Sequence, residues 1–87
     1  PNYPNPFNAG TIIRFDAPEA TDVELAIYNV LGKKVRTLFN GRCVQGVNRF
    51  VWNDGRSDDG TPIASGVYFY RLSTPTGTLT SKLAYIR

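Results

Sequence analysis

The groups able to do chemistry in this chain are seven carboxylates, one thiol and no imidazole: Asp16, Glu19, Asp22, Glu24, Asp54, Asp58, Asp59 and Cys43. Two carboxylates can act as general acid and base when they face each other across a substrate. Here the acids fall in turns or on the exposed faces of strand patterns, and no Ser occupies the sharp strand-to-helix turn that exposes a nucleophile. Ser65–Gly66 reads as the start of a strand, where Gly permits a bulge. Cys43 has no neighbouring base to make it reactive and reads as a small apolar residue. The expectation is a chain with no catalytic residue, and so not an enzyme.

Two binding chemistries remain. Asp54, Asp58 and Asp59, with Gly55 and Gly60, offer hard oxygens to a cation such as calcium. Their spacing does not fit the loop that places oxygens at alternate positions, and Arg56 interrupts it. The segment reads as a turn-rich connection whose Asp side chains bond their own backbone, so no metal and no cofactor is expected. One Trp, five Tyr and five Phe make the chain rich in rings, and Tyr68, Tyr70 and Tyr85 are candidates for a flat platform under a sugar. Packing between sheets is the favoured reading, with hydroxyls reaching the rim. Side chains alternate along a strand, so Tyr68 and Tyr70 share one face and Val67 and Phe69 the other.

These residues are positioned by strands. Residues 1–10 hold three prolines, three asparagines and one glycine, which read as a linker arm whose Phe7 plugs into the domain. The domain then spans residues 11–87. Strand patterns run over Thr11–Phe15, ended by Pro18; Val23–Tyr28, with Val23, Leu25 and Ile27 inward; Lys33–Leu38; Val47–Trp52, with Asn48, Phe50 and Trp52 on one face; Gly66–Leu72; and Leu79–Arg87. Turns are expected at Asn29–Gly32, at Asn40–Gly41, in the polar stretch Asn53–Gly60, and at Pro75–Gly77. Short strands at this spacing predict an all-β, immunoglobulin-like or fibronectin-type antiparallel sandwich of about seven strands. Trp52, Phe50 and either Phe69 or Tyr70 are bulky enough to fill a gap of about 10 Å between sheets.

The bulk properties agree. Eighty-seven residues, 41% hydrophobic and 20% charged, describe one folded domain with a modest core. A net charge of +3 with no basic stripe argues against nucleic acid; Lys33, Lys34 and Arg36 are the densest positives and lie within a strand pattern. A single cysteine forbids an internal disulfide. No apolar run approaches the length of a membrane span. The first residue is Pro in a loop-like stretch, which reads as a piece of a longer chain, and the end directly after a strand pattern reads as a terminus.

Four motifs in register then carry a resemblance: Asn5-Pro6-Phe7-Asn8; Ile27-Tyr28-Asn29-Val30-Leu31-Gly32 followed by Val35-Arg36-Thr37-Leu38; Trp52 to Gly60; and Ala64 to Leu72. Together they resemble the C-terminal sorting domain of the type IX secretion system, a family that overlaps in sequence with the immunoglobulin-like domain of flagellar hook-capping proteins. The resemblance covers essentially the whole chain. It implies a non-enzymatic module that directs an attached cargo, N-terminal in the same chain, through the periplasm and across the bacterial outer membrane to the cell surface or extracellular space. It implies a secretion translocon and a sortase as partners. The hook-capping version implies instead a structural spacer or assembly module, and an accessory domain binding carbohydrate for a secreted hydrolase is the third alternative. Family motif positions fall on Asn5, Pro6, Phe7, Gly66, Tyr68 and Lys82. The sequence departs from the pattern at Ala9-Gly10, where proline and threonine are more usual, and at Leu83-Ala84-Tyr85, less aliphatic than usual. A last strand at a sheet edge would offer unpaired backbone groups to a partner, with Lys82 and Arg87 adding charge, or keeping the edge soluble.

Overall fold

The computed structural model describes residues 11–86. Six strands follow in chain order: β1 (Thr11–Ala17), β2 (Asp22–Tyr28), β3 (Lys34–Arg42), β4 (Gly46–Trp52), β5 (Gly66–Thr74) and β6 (Gly77–Tyr85). They form a two-stranded sheet, β1-β4, facing a four-stranded sheet in the order β3-β2-β5-β6, with every pairing antiparallel. This is the expected immunoglobulin-like sandwich, built among the described residues from six strands where about seven were expected.

The alternation read from sequence sets the core. Val23, Leu25 and Ile27 of β2 point inward, and Leu25 and Ile27 are fully sealed. From the small sheet, Ile13, Ala17, Asn48 and Trp52 face them. Each fully buried aliphatic side chain contributes about 1.5–3 kcal/mol, so this layer dominates the stability of so small a domain. Rings divide into two groups. Phe50 contacts Phe15 and Phe39 at 5.9 and 4.8 Å between centroids. Trp52 is gripped by Tyr68 and Tyr85 at 6.2 and 5.4 Å. Between the two candidates for the core-filling ring, Tyr70 packs on the core and Phe69 lies on the opposite face, as alternation from buried Tyr68 requires.

The turns follow their chemistry, with one correction. Asn29 accepts the N–H groups of Leu31 and Lys33 on Oδ1 at 2.9 and 3.0 Å, and Gly32 takes the positive φ of 84° that closes the β2–β3 connection. Asn40–Gly41 is not a turn: both residues continue β3, paired with Glu24 and Val23. The ring of Phe39 lies across the Cα of Gly41, so glycine here makes room for a side chain. The chain reverses later, where Gly46 adopts φ 97° and the buried Asn48 side chain bonds Val44 N–H, Val44 C=O and Gly46 C=O.

Candidate functional site

The polar stretch after β4 folds against β3 and makes the most connected polar cluster of the described residues. Gly55 at φ 61° and Gly60 at φ 88° let the chain double back, and Arg56 bridges Pro62 across it. The Arg36 guanidinium reaches the loop, donating to both oxygens of Asp54 at 3.0 and 3.2 Å and to Arg56 C=O at 2.8 Å. Asp58 docks on the edge of β3: its N–H donates to Val35 C=O at 3.0 Å, and its carboxylate accepts Thr37 N–H at 3.0 and 3.1 Å. One Asp thereby imitates a short partner strand along part of that edge.

Each loop acid is already engaged. Burial works against ionisation of Asp54, but hydrogen bonds from Arg56 N–H and the Arg36 guanidinium outweigh it and hold the carboxyl below its ordinary range. The Ser57 hydroxyl, with Thr61, holds Asp59 down to about 2. Lys34 is paired as well: it lies 2.7 Å from Glu24, and that hydrogen bond raises the lysine pKa. Tyr68 is raised by desolvation first and by Tyr85 second, while its hydroxyl donates to Ala64 C=O at 2.7 Å. A cleft of about 480 Å³ opens beside this loop and is lined by Lys33, Lys34, Asp58, Asp59 and Tyr68 among others. Lining it, the Ser57 hydroxyl donates to the Asp59 carboxylate, which also accepts Thr61 N–H, so this contact belongs to the loop's own turn. Among the described residues no group of three or more potential ligand side chains converges on a metal position.

The family model for the FlgD Ig-like domain matches residues 4–78. This chain belongs to the FlgD Ig-like domain family. No curated protein and no solved structure matches it. The family is structural and non-catalytic. For the FlgD Ig-like domain described here, the match spans β1 to β5 and stops at the first residues of β6.

The structure separates the motif residues more than it gathers them. In this FlgD Ig-like domain Gly66, Tyr68 and Lys82 share one hairpin, since Gly66 pairs with Tyr85, Tyr68 with Leu83, and Phe69 with Lys82. Tyr68 is buried and Lys82 is exposed on the opposite face, so the two do not form one site. Asn5, Pro6, Phe7 and Arg87, including the expected docking of Phe7, lie outside the described residues. The tyrosine platform does not exist. Tyr68 is 8% exposed, and Tyr85 is half-buried and packs its ring against Trp52, because both sit on the inward face of their strands. Sequence reading missed Arg36 as the anchor of the loop and Asn48 as the clamp of the β3–β4 connection. An Arg in a strand with Asp residues in a later loop carried some signal for the first pairing. Nothing in the sequence marked Asn48 beyond its place on an otherwise apolar face.

Proposed function

We propose that this domain is a structural assembly module of the hook-capping type, carried by a longer protein and presenting a rigid sandwich to a neighbouring subunit. The match to the FlgD Ig-like domain over residues 4–78 carries this reading. The disposition of charge is consistent with it. The acids and bases of the polar loop stabilise the loop itself and do not converge on a reacting group. The test replaces the domain within its parent chain by an unrelated immunoglobulin-like domain of equal size. An assembly module is not rescued by the replacement, and the parent stays out of its high-mass assembly. A passive spacer is rescued, and that result would overturn the proposal.

A second reading follows from the motifs shared with the type IX sorting domain and from the exposed character of β6. Here the domain directs a preceding cargo to the bacterial surface, with a translocon and a sortase as partners. A reporter fused to residues 1–87 then reaches the surface, and removing residues 83–87 leaves it in the periplasm. Normal export of the shortened fusion would eliminate this reading.

A further inference from the structure

We infer that the outer edge of β6, with the apolar cleft beside it, is a docking site for an extended acidic segment of a partner protein, which adds to the large sheet as a fifth strand. The inference rests on the reading of the domain as an assembly module and names the kind of partner it takes.

The large sheet has two edges, and they are treated differently. On β3, Asp58 occupies Val35 C=O and Thr37 N–H, and Arg36 fixes the loop that carries it. Nothing comparable covers β6 among the described residues. The two-residue turn at Pro75–Thr76 makes Thr74 and Gly77 a hydrogen-bonded pair, and the unbroken register down the hairpin fixes the rest. The N–H and C=O groups of Thr78, Thr80, Lys82 and Ala84 therefore point away from β5. The strand is nine residues long, with no proline and no bulge, and residues 77–82 are exposed. Long, regular edges of this kind are templates for another strand.

Among the described residues the interior side of that edge is also open. The two-stranded sheet does not reach over it, and Leu79 remains 69% exposed. A cleft of about 230 Å³ runs between β1 and β6, walled by Ile13, Phe15, Tyr70, Leu72 and Leu79, with Arg14 on its rim. An added strand would send alternate side chains into this cleft and the others along the outer face. Backbone pairing thus supplies affinity, and the cleft supplies selection for an apolar residue at every second position.

Charge identifies the occupant. The 18 residues of β5 and β6 contain Arg71 and Lys82 and no acid. In an antiparallel pairing of two copies about the middle of β6, their Lys82 side chains become near neighbours on one face, and like charges there oppose it. The same lysine favours a strand bearing Glu or Asp.

The test titrates the intact 87-residue chain with a nine-residue peptide alternating isoleucine and glutamate, and with its isoleucine–lysine counterpart, following backbone amide exchange by NMR. The glutamate peptide is expected to slow exchange at Thr78, Thr80, Lys82 and Ala84 by about tenfold or more, and the lysine peptide to do so far less. Lys82→Glu should reverse the preference. Thr80→Pro, which removes one outward N–H from an edge that tolerates proline, should abolish the effect with the sandwich intact. If Thr80→Pro unfolds the chain, the reversal in Lys82→Glu decides alone. No slowing, or equal slowing by both peptides, would overturn the inference. So would protection of the four amides in the free monomer, which would mean that the chain covers its own edge, or a concentration-dependent dimer, which would mean that a second copy does. A domain that fails this titration yet cannot be replaced in its parent loses the edge site and keeps the assembly role. One that binds the peptide but is freely replaceable loses the assembly role.

Discussion

Asn48 is the buried polar side chain of the core layer, and its position explains its type. It stands where alternation along β4 asks for an apolar residue, and it spends both amide atoms on the backbone of residues 44 and 46. Truncation would leave three backbone groups to find other partners. Asn48→Ala is expected to cost about 1–3 kcal/mol in urea unfolding, and a cost below about 0.5 kcal/mol would show that water replaces the clamp. Asp59 supplies a prediction in pH. Its folded pKa of about 2 lies below the ordinary 3.8, so the folded state binds this proton less tightly than the unfolded one. The stabilisation is present above pH 3.8 and is lost as pH falls towards 2. Asp59→Asn should flatten the acid limb of a thermal melting profile. An unchanged limb would assign the acid sensitivity to other carboxylates, of which Asp54 is also shifted downward.

β3 shows how a strand edge is closed without another strand. The loop over residues 53–63 lies along it through Asp58 and Arg36, and Ile63 plugs the core at the far end of the loop with its N–H on Gly55 C=O at 2.9 Å. Gly55 is needed twice, for its φ of 61° and because the Tyr85 hydroxyl fills the space a Cβ would take. Asp58→Ala should therefore loosen the edge more than the core. Hydrogen exchange at Thr37 is expected to accelerate strongly while Leu25 and Ile27 amides stay protected, and the variant should gain a tendency to self-associate through the uncovered edge. Equal acceleration at all these amides would mean that the loop supports the whole sandwich. The contrast with β6, long and bonded on one side only among the described residues, is the asymmetry on which the proposed docking rests.

Across the molecule, stability concentrates around one ring. Trp52 is 3% exposed and lies between Tyr68 and Tyr85, with Ile13 of the neighbouring strand β1 also in its core cluster. Removing a buried aromatic costs about 3–5 kcal/mol. A domain of this length has a total stability of roughly 4–13 kcal/mol, at about 0.05–0.15 kcal/mol per residue. Trp52→Ala is thus expected to leave the chain largely unfolded or close to it. In the native protein, Trp52 fluorescence should be blue-shifted and poorly quenched by acrylamide. Ready quenching in the folded protein would contradict the packing described here.

By itself the sequence determined the class of fold, the inward faces of β2 and β4, the Pro18 boundary, the Asn29–Gly32 turn and the self-bonded character of the Asp54–Gly60 loop. All of these depend on neighbours two to four residues apart, through side-chain alternation or through short side chains bonding nearby backbone. Tertiary structure alone decided that Asn40–Gly41 stays in a strand, that Trp52 is the ring on which Tyr68 and Tyr85 pack, and that Arg36 holds a loop 18 residues further on. It also decided which sheet edge the loop covers. Such outcomes depend on how strands are ordered and how far one sheet overlaps the other, and residue order along the chain carries that information only once the two layers have met.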